Sequence, residues 1–165
     1  MSPKRAKNDC ERLAEQITKA MNGEAWHGPS WHDNLDGVKL EAALQRPIEG
    51  GHSIAEVTLH MTTWNDVVRL RMEGGTPNVT GALDWPKVAL KDEKAWQATA
   101  ARLFESGDAL AATVAAFPVE KLHRKRPNVD GSWYDLVLGQ LQHILYHSGQ
   151  AGLLKKATTP VTARA

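Results

Sequence analysis

Seven histidines, at positions 27, 32, 52, 60, 123, 143 and 147, are the residues best equipped to do chemistry in this chain. His143 and His147 form an H-x-x-x-H pair. On an α-helix, positions four apart share one face and their side chains are neighbours. Two neutral imidazoles so placed can grip one divalent ion, each offering a nitrogen at about 2.0–2.1 Å from zinc. A third ligand should come from another helix, and His60 is the best candidate, because it is the other histidine inside a segment of clear helical pattern. The spacing leaves a second reading open for each of these residues: an imidazole in or beside the core, bonded to a backbone or carboxylate group. Two adjacent core imidazoles are costly unless their nitrogens are satisfied. A shared metal satisfies both at once.

Other residues lie within reach of such a site. Gln150 follows His147 by three positions and Gln140 precedes His143 by three, so either could orient a ligand or bond a water on the ion. Glu56 lies one turn before His60 and could support it, although a helix-capping role already accounts for it. Trp64, one turn after His60, and Tyr146 read as packing residues that could also line a pocket. His27, in the loop segment Trp26-His27-Gly28-Pro29-Ser30-Trp31-His32, could cover an open side and exchange protons. It also fits an ordinary loop histidine. His52 and His123 read as exposed linker residues.

Four long helices must position these groups. The first is expected over residues 8–21, capped by Asn8 or Asp9, with Leu13, Ile17 and Met21 on its apolar face. The second starts at Ser53, where Ser53-Ile54-Ala55-Glu56 reads as a capping box. Ile54, Val57, Met61, Trp64 and Val68 form its stripe, and Gly74-Gly75 ends it. The third is expected over 92–117, with Ala95, Trp96, Ala100, Leu103, Leu110 and Val114 inward. Ser106-Gly107 marks a point where it would bend, and Pro118 stops it. The fourth begins near Ser132, with Ser132 and Asp135 as a second capping box, and runs to about Lys156. It shows two stripes: Leu138, Leu141, Leu145 and Gly152 on one, and Leu136, His143, His147 and Leu154 on the other. The connection 23–52 is long and leaves room for short helical turns between Trp31 and Leu44. These features predict an all-α protein, a four-helix bundle with long loops and at least one crossover, in a single domain over residues 1–165.

Composition narrows the class. At 165 residues, 42% apolar and 24% charged, the chain can bury a core without disulfides. The net charge of +1 and the dispersed basic residues speak against nucleic-acid binding. The densest basic run, Lys121, His123, Arg124, Lys125 and Arg126, could touch an anion but reads better as a solvated loop. The single cysteine, Cys10, cannot form an internal disulfide and reads as a small buried residue. The first seven residues are basic but no apolar stretch follows, and no apolar run reaches the roughly 18 residues of a membrane span. The expected compartment is the cytoplasm.

The segments Ser-Ile-Ala-Glu-Val-Thr-Leu-His-Met-Thr-Thr-Trp at 53–64 and His-Ile-Leu-Tyr-His-Ser-Gly-Gln at 143–150 resemble the DinB-like (YfiT-like) family of metal-dependent proteins. The likeness extends over essentially the whole chain, including the Trp-His-Gly-Pro-Ser segment at 26–30. It implies an up-down-down-up four-helix bundle. It also implies a divalent metal, usually zinc or nickel, on one histidine of the second helix and two of the fourth, which here are His60, His143 and His147. Homodimers are common in the family, and some members transfer low-molecular-weight thiols such as bacillithiol or mycothiol. Three neutral imidazoles would leave the ion its double charge and an open position, the layout of a catalytic rather than a structural site. Three functional expectations follow. The first is a metal-dependent thiol S-transferase or hydrolase acting on a small molecule. The second is a metal-binding protein without turnover, and the third a helical dimerisation domain.

Overall fold

The computed structural model describes residues 5–158; the first four residues of the basic N-terminal segment lie outside them. Among the described residues there are four long helices, α1 (Asp9–Asn22), α4 (Ile54–Met72), α6 (Glu93–Ala116) and α8 (Trp133–Thr158). Four short ones lie in the connections: α2 (Trp31–Leu35), α3 (Leu40–Leu44), α5 (Gly81–Asp84) and α7 (Val119–Leu122). The all-α class and the four long helices match the expectation from sequence, with ends shifted by one or two residues.

The helix starts are fixed by local chemistry. Asn8 caps α1 through a reciprocal bond with Glu11, and Ser53 caps α4 through one with Glu56. Ser132 and Asp135 exchange the same pair of bonds at the start of α8. Each pairing satisfies two backbone amides that the first turn leaves without partners. A further reciprocal cap, Ser30 with Asp33, starts α2.

The long helices enclose one core. α1 and α4 each pack against both α6 and α8. α4 and α6 run in the same direction, since Asp66 pairs with Arg102 and, further on, Glu73 meets Thr113. The long connection after α4 carries the chain back to allow this. Trp31, Trp96, Ile17, Met21, Met61, Leu103 and Leu110 are fully enclosed. Cys10 is buried as well, and burial pushes its thiol pKa up.

One expectation, for α8, is corrected here. α6 is one continuous helix through Ser106-Gly107. The glycine serves packing, because a Cβ at 107 would lie 2.9 Å from the Met21 side chain. In α8 the buried face is Val137, Gln140, Ile144, His147, Ser148, Ala151 and Leu154, whereas Leu138, Leu141 and Leu145 are half-buried at its margin. The inward face is therefore set between the two stripes drawn from sequence. Gly152 marks a close approach, with a Cβ there 2.8 Å from the Asn34 side-chain oxygen Oδ1.

α2 docks on α8 at this point. Trp31 Nε1 donates to the Ile144 carbonyl at 3.0 Å, and Asn34 Nδ2 donates to Ser148 Oγ and its carbonyl, each at 3.0 Å. These bonds hold the stretch of α8 that carries His143 and His147. Because Gly107 has no room for branching, Gly107→Val is expected to destabilise the protein by about 1–3 kcal/mol, read as a lower urea midpoint with an unchanged slope.

Candidate metal centre

α4 and α8 face one another across the bundle and bring their histidines together. The ring atoms of His60, His143 and His147 that could act as ligands all lie within 4.8 Å of one another. His143 Nε2 stands 3.1 Å from His60 Nε2 and 2.8 Å from His147 Nε2. Three nitrogens held tetrahedrally at about 2.05 Å from an ion would be roughly 3.3 Å apart. The two separations fall about 0.2 and 0.5 Å below that figure and the third pair lies within 4.8 Å, so small ring movements would let the residues hold the group.

The far side of two rings is fixed. His60 Nδ1 donates to the Asp84 backbone carbonyl at 2.6 Å. A carbonyl can only accept, so the proton sits on Nδ1 and the Nε2 lone pair is left for the centre. His147 Nδ1 is 2.7 Å from Gln150 Oε1, which sets the same tautomer. This is the outer support usual for metal-ligating histidines. Gln150 therefore lies against the back of the His147 ring.

Aromatic rings wall the cluster. Trp85 stacks flat on His60, with centroids 4.0 Å apart and planes 9° apart. His52 stacks on the other face of the wall, 3.6 Å from Trp85. Trp64 meets the His143 ring edge-on at 5.8 Å and donates from Nε1 to Asp84 Oδ1 at 2.7 Å. On the open side an elongated cleft of about 540 Å³ runs between α4 and α8, past Trp64 and Gln140, with His60 and His143 at one end.

Two residues singled out from sequence lie elsewhere. Glu56 supports no histidine of the cluster: its carboxylate is bonded to Ser53 in the cap and paired with Arg46. His27 is exposed in the loop before α2 and does not line the cleft. Gln140 is buried, and its amide donates to Asn65 Oδ1 at 2.8 Å rather than to a ring. Asp84, Trp85 and His52 were missed. They sit in connections, and their contact with His60 arises only when the segment after α4 folds back. Arg126 is corrected too: it leaves the solvated basic run and lines the cleft.

Burial governs the protonation of these rings. Desolvation, followed by the nearby His60, lowers the His143 pKa to about 4. Desolvation and His143 lower that of His147 to about 4 against the bond from Gln150. Both rings are thus neutral at neutral pH, the state a metal ligand requires.

The all-α fold and the clustered rings together define a helical protein with a three-histidine candidate metal centre. The family model of the DinB superfamily matches residues 25–151, and the chain belongs to that superfamily. No curated protein and no solved structure matches it. Among the described residues no helix is long and apolar enough to cross a membrane.

The depressed histidine pKa values fix a pH dependence. With folded values near 4 and an ordinary value of 6.5, the unfolded chain binds more protons below pH 6.5. The stability these neutral rings carry is present above pH 6.5 and is lost as pH falls towards 4. Metal-free protein should show a falling Tm across that window. The same decline should be reduced in the double variant His143→Gln/His147→Gln.

Proposed function

We propose that this protein binds one divalent ion through the Nε2 atoms of His60, His143 and His147 and transfers a thiol to a small electrophile. The observation that carries the reading is the convergence of three imidazole nitrogens, two of them on rings held from behind, at the end of an open cleft. An ion held there would supply Lewis-acid chemistry, lowering the pKa of a bound thiol or water.

The chain's own groups then favour thiol transfer over hydrolysis. Asp84 is the carboxylate beside the rings, and its Oδ1 already faces both His60 and Trp64. Asp135, also in the cleft, is bonded through Oδ2 to Ser132. Each is tied through one oxygen to a neighbouring donor, so neither stands as a dedicated general base for water. A thiol acidified at the centre is itself the nucleophile and needs no separate base. Its sulfur would form the new bond to carbon, and its proton would leave with the displaced group. Trp64 and Trp85 shield the rings from bulk solvent, and the bonds from His60 and His147 hold their lone pairs in place. Zinc and nickel both suit an imidazole donor set.

Elemental analysis of tag-free protein should find about one zinc or nickel ion per chain, and His60→Ala should retain little of it. Conjugation of a small thiol to an alkyl-halide probe, followed by loss of free thiol, should depend on metal and vanish in His143→Ala. Equal metal content in wild type and His60→Ala would remove His60 from the centre. Full metal with no conjugation across a panel of thiols would leave a binding protein without turnover.

A further inference from the structure

The cleft that opens from the three histidines ends in two arginines. Arg71 extends from the last turn of α4, and Arg126 from the turn before α8. α4 and α8 run antiparallel along the cleft, so the end opposite the histidines is built from late α4 and early α8. Trp64 links the two ends. Its ring is 5.8 Å from that of His143 and 5.7 Å from the Arg71 guanidinium carbon. Val68 and Leu136 give the stretch between an apolar lining.

The arginines lack the partners such groups ordinarily have. Among the described residues no carboxylate pairs with Arg71, whose charge rests only on the face of Trp64. Arg126 donates to the Asp130 carbonyl, while its Nε is buried without any acceptor. Burial, and after it the charge of Arg126, push the Arg71 pKa down. Asp84 and Asp135 are the acids of the cleft; Asp135 lies close enough to Arg126 to feel its charge, but neither carboxylate forms an ion pair with either arginine. Two half-buried guanidinium groups facing one cleft without a direct ion pair are incompletely satisfied. An incoming carboxylate or phosphate would relieve this, and guanidinium groups bind both by paired N–H donors.

We propose that Arg71 and Arg126 form an anion-binding subsite, so that the molecule taken by the cleft is a small organic anion. Its charged group sits between the two guanidiniums, its apolar middle lies along Trp64, Val68 and Leu136, and its reactive end reaches the histidine cluster. The statement about the reactive end rests on the metal-centre reading above; the anion subsite stands on the arginines alone.

The test uses full-chain protein loaded with cobalt(II) and two thiols that differ only in charge, 6-mercaptohexanoate and 6-mercaptohexan-1-ol. Calorimetry reads affinity, and the cobalt–thiolate absorption reads arrival of sulfur at the metal. The acid should bind at least about ten times more tightly than the alcohol. Arg71→Gln and Arg126→Gln should each remove most of that preference, weakening the acid far more than the alcohol. Arg71→Lys, which keeps the charge, should retain part of it and guards against misfolding. Equal affinities for acid and alcohol in the wild type would overturn the proposal, as would a preference untouched by both Arg→Gln variants. Hexanoate and hexan-1-ol against metal-free His143→Ala separate the two readings. A preference for hexanoate there, with no cobalt–thiolate band in the wild type, would keep the anion subsite and discard the metal reading.

Discussion

Bringing three imidazoles together between α4 and α8, two buried and one half-buried, is the constraint around which this bundle is arranged. Bare lone pairs less than about 3.3 Å apart repel, and rings taken out of water cannot easily carry a proton. The fold meets the constraint from behind. Asp84 and Gln150 hold two of the rings by Nδ1, Trp85 lies flat on His60, and α2 clamps α8 through Trp31 and Asn34. With His143 and His147 neutral and His60 and His147 held from behind, a divalent ion is a group that could satisfy all three nitrogens together.

The positions of the elements follow from this. α4 and α8 must face each other along their length, and they do so with the histidines at one end of a cleft and the arginines at the other. The connection after α4 is long because it has to carry α6 back parallel to α4. Its excursion also delivers Asp84 and Trp85 to the back of His60. A segment that looks like spacer in the sequence is therefore part of the wall of the centre.

The histidine pair at 143 and 147 was legible because helical periodicity converts a four-residue spacing directly into adjacency. His60 was legible because a capping box at Ser53 fixed the phase of its helix. Gln150 was legible by the same rule of spacing. Asp84, Trp85 and His52 were not, since no local pattern reports that a loop folds back onto a helix 24 residues away. Arg126 was misread as solvated because its charged neighbours dominate the run, and only the turn into α8 directs it inward. Glu56 looked available to His60, but the capping bonds that start the helix already use its carboxylate. Gly107 looked like a weak point and proved to be a contact with Met21, a distinction that requires knowing what lies opposite.

The central claim is that the three Nε2 atoms share one ion. X-ray absorption at the metal edge of the loaded, tag-free protein tests it most directly. About three nitrogen donors at roughly 2.0–2.1 Å are expected, with the outer-shell scattering of imidazole, completed by oxygen donors. A shell of oxygens without imidazole scattering, or a sulfur shell in the absence of added thiol, would contradict it.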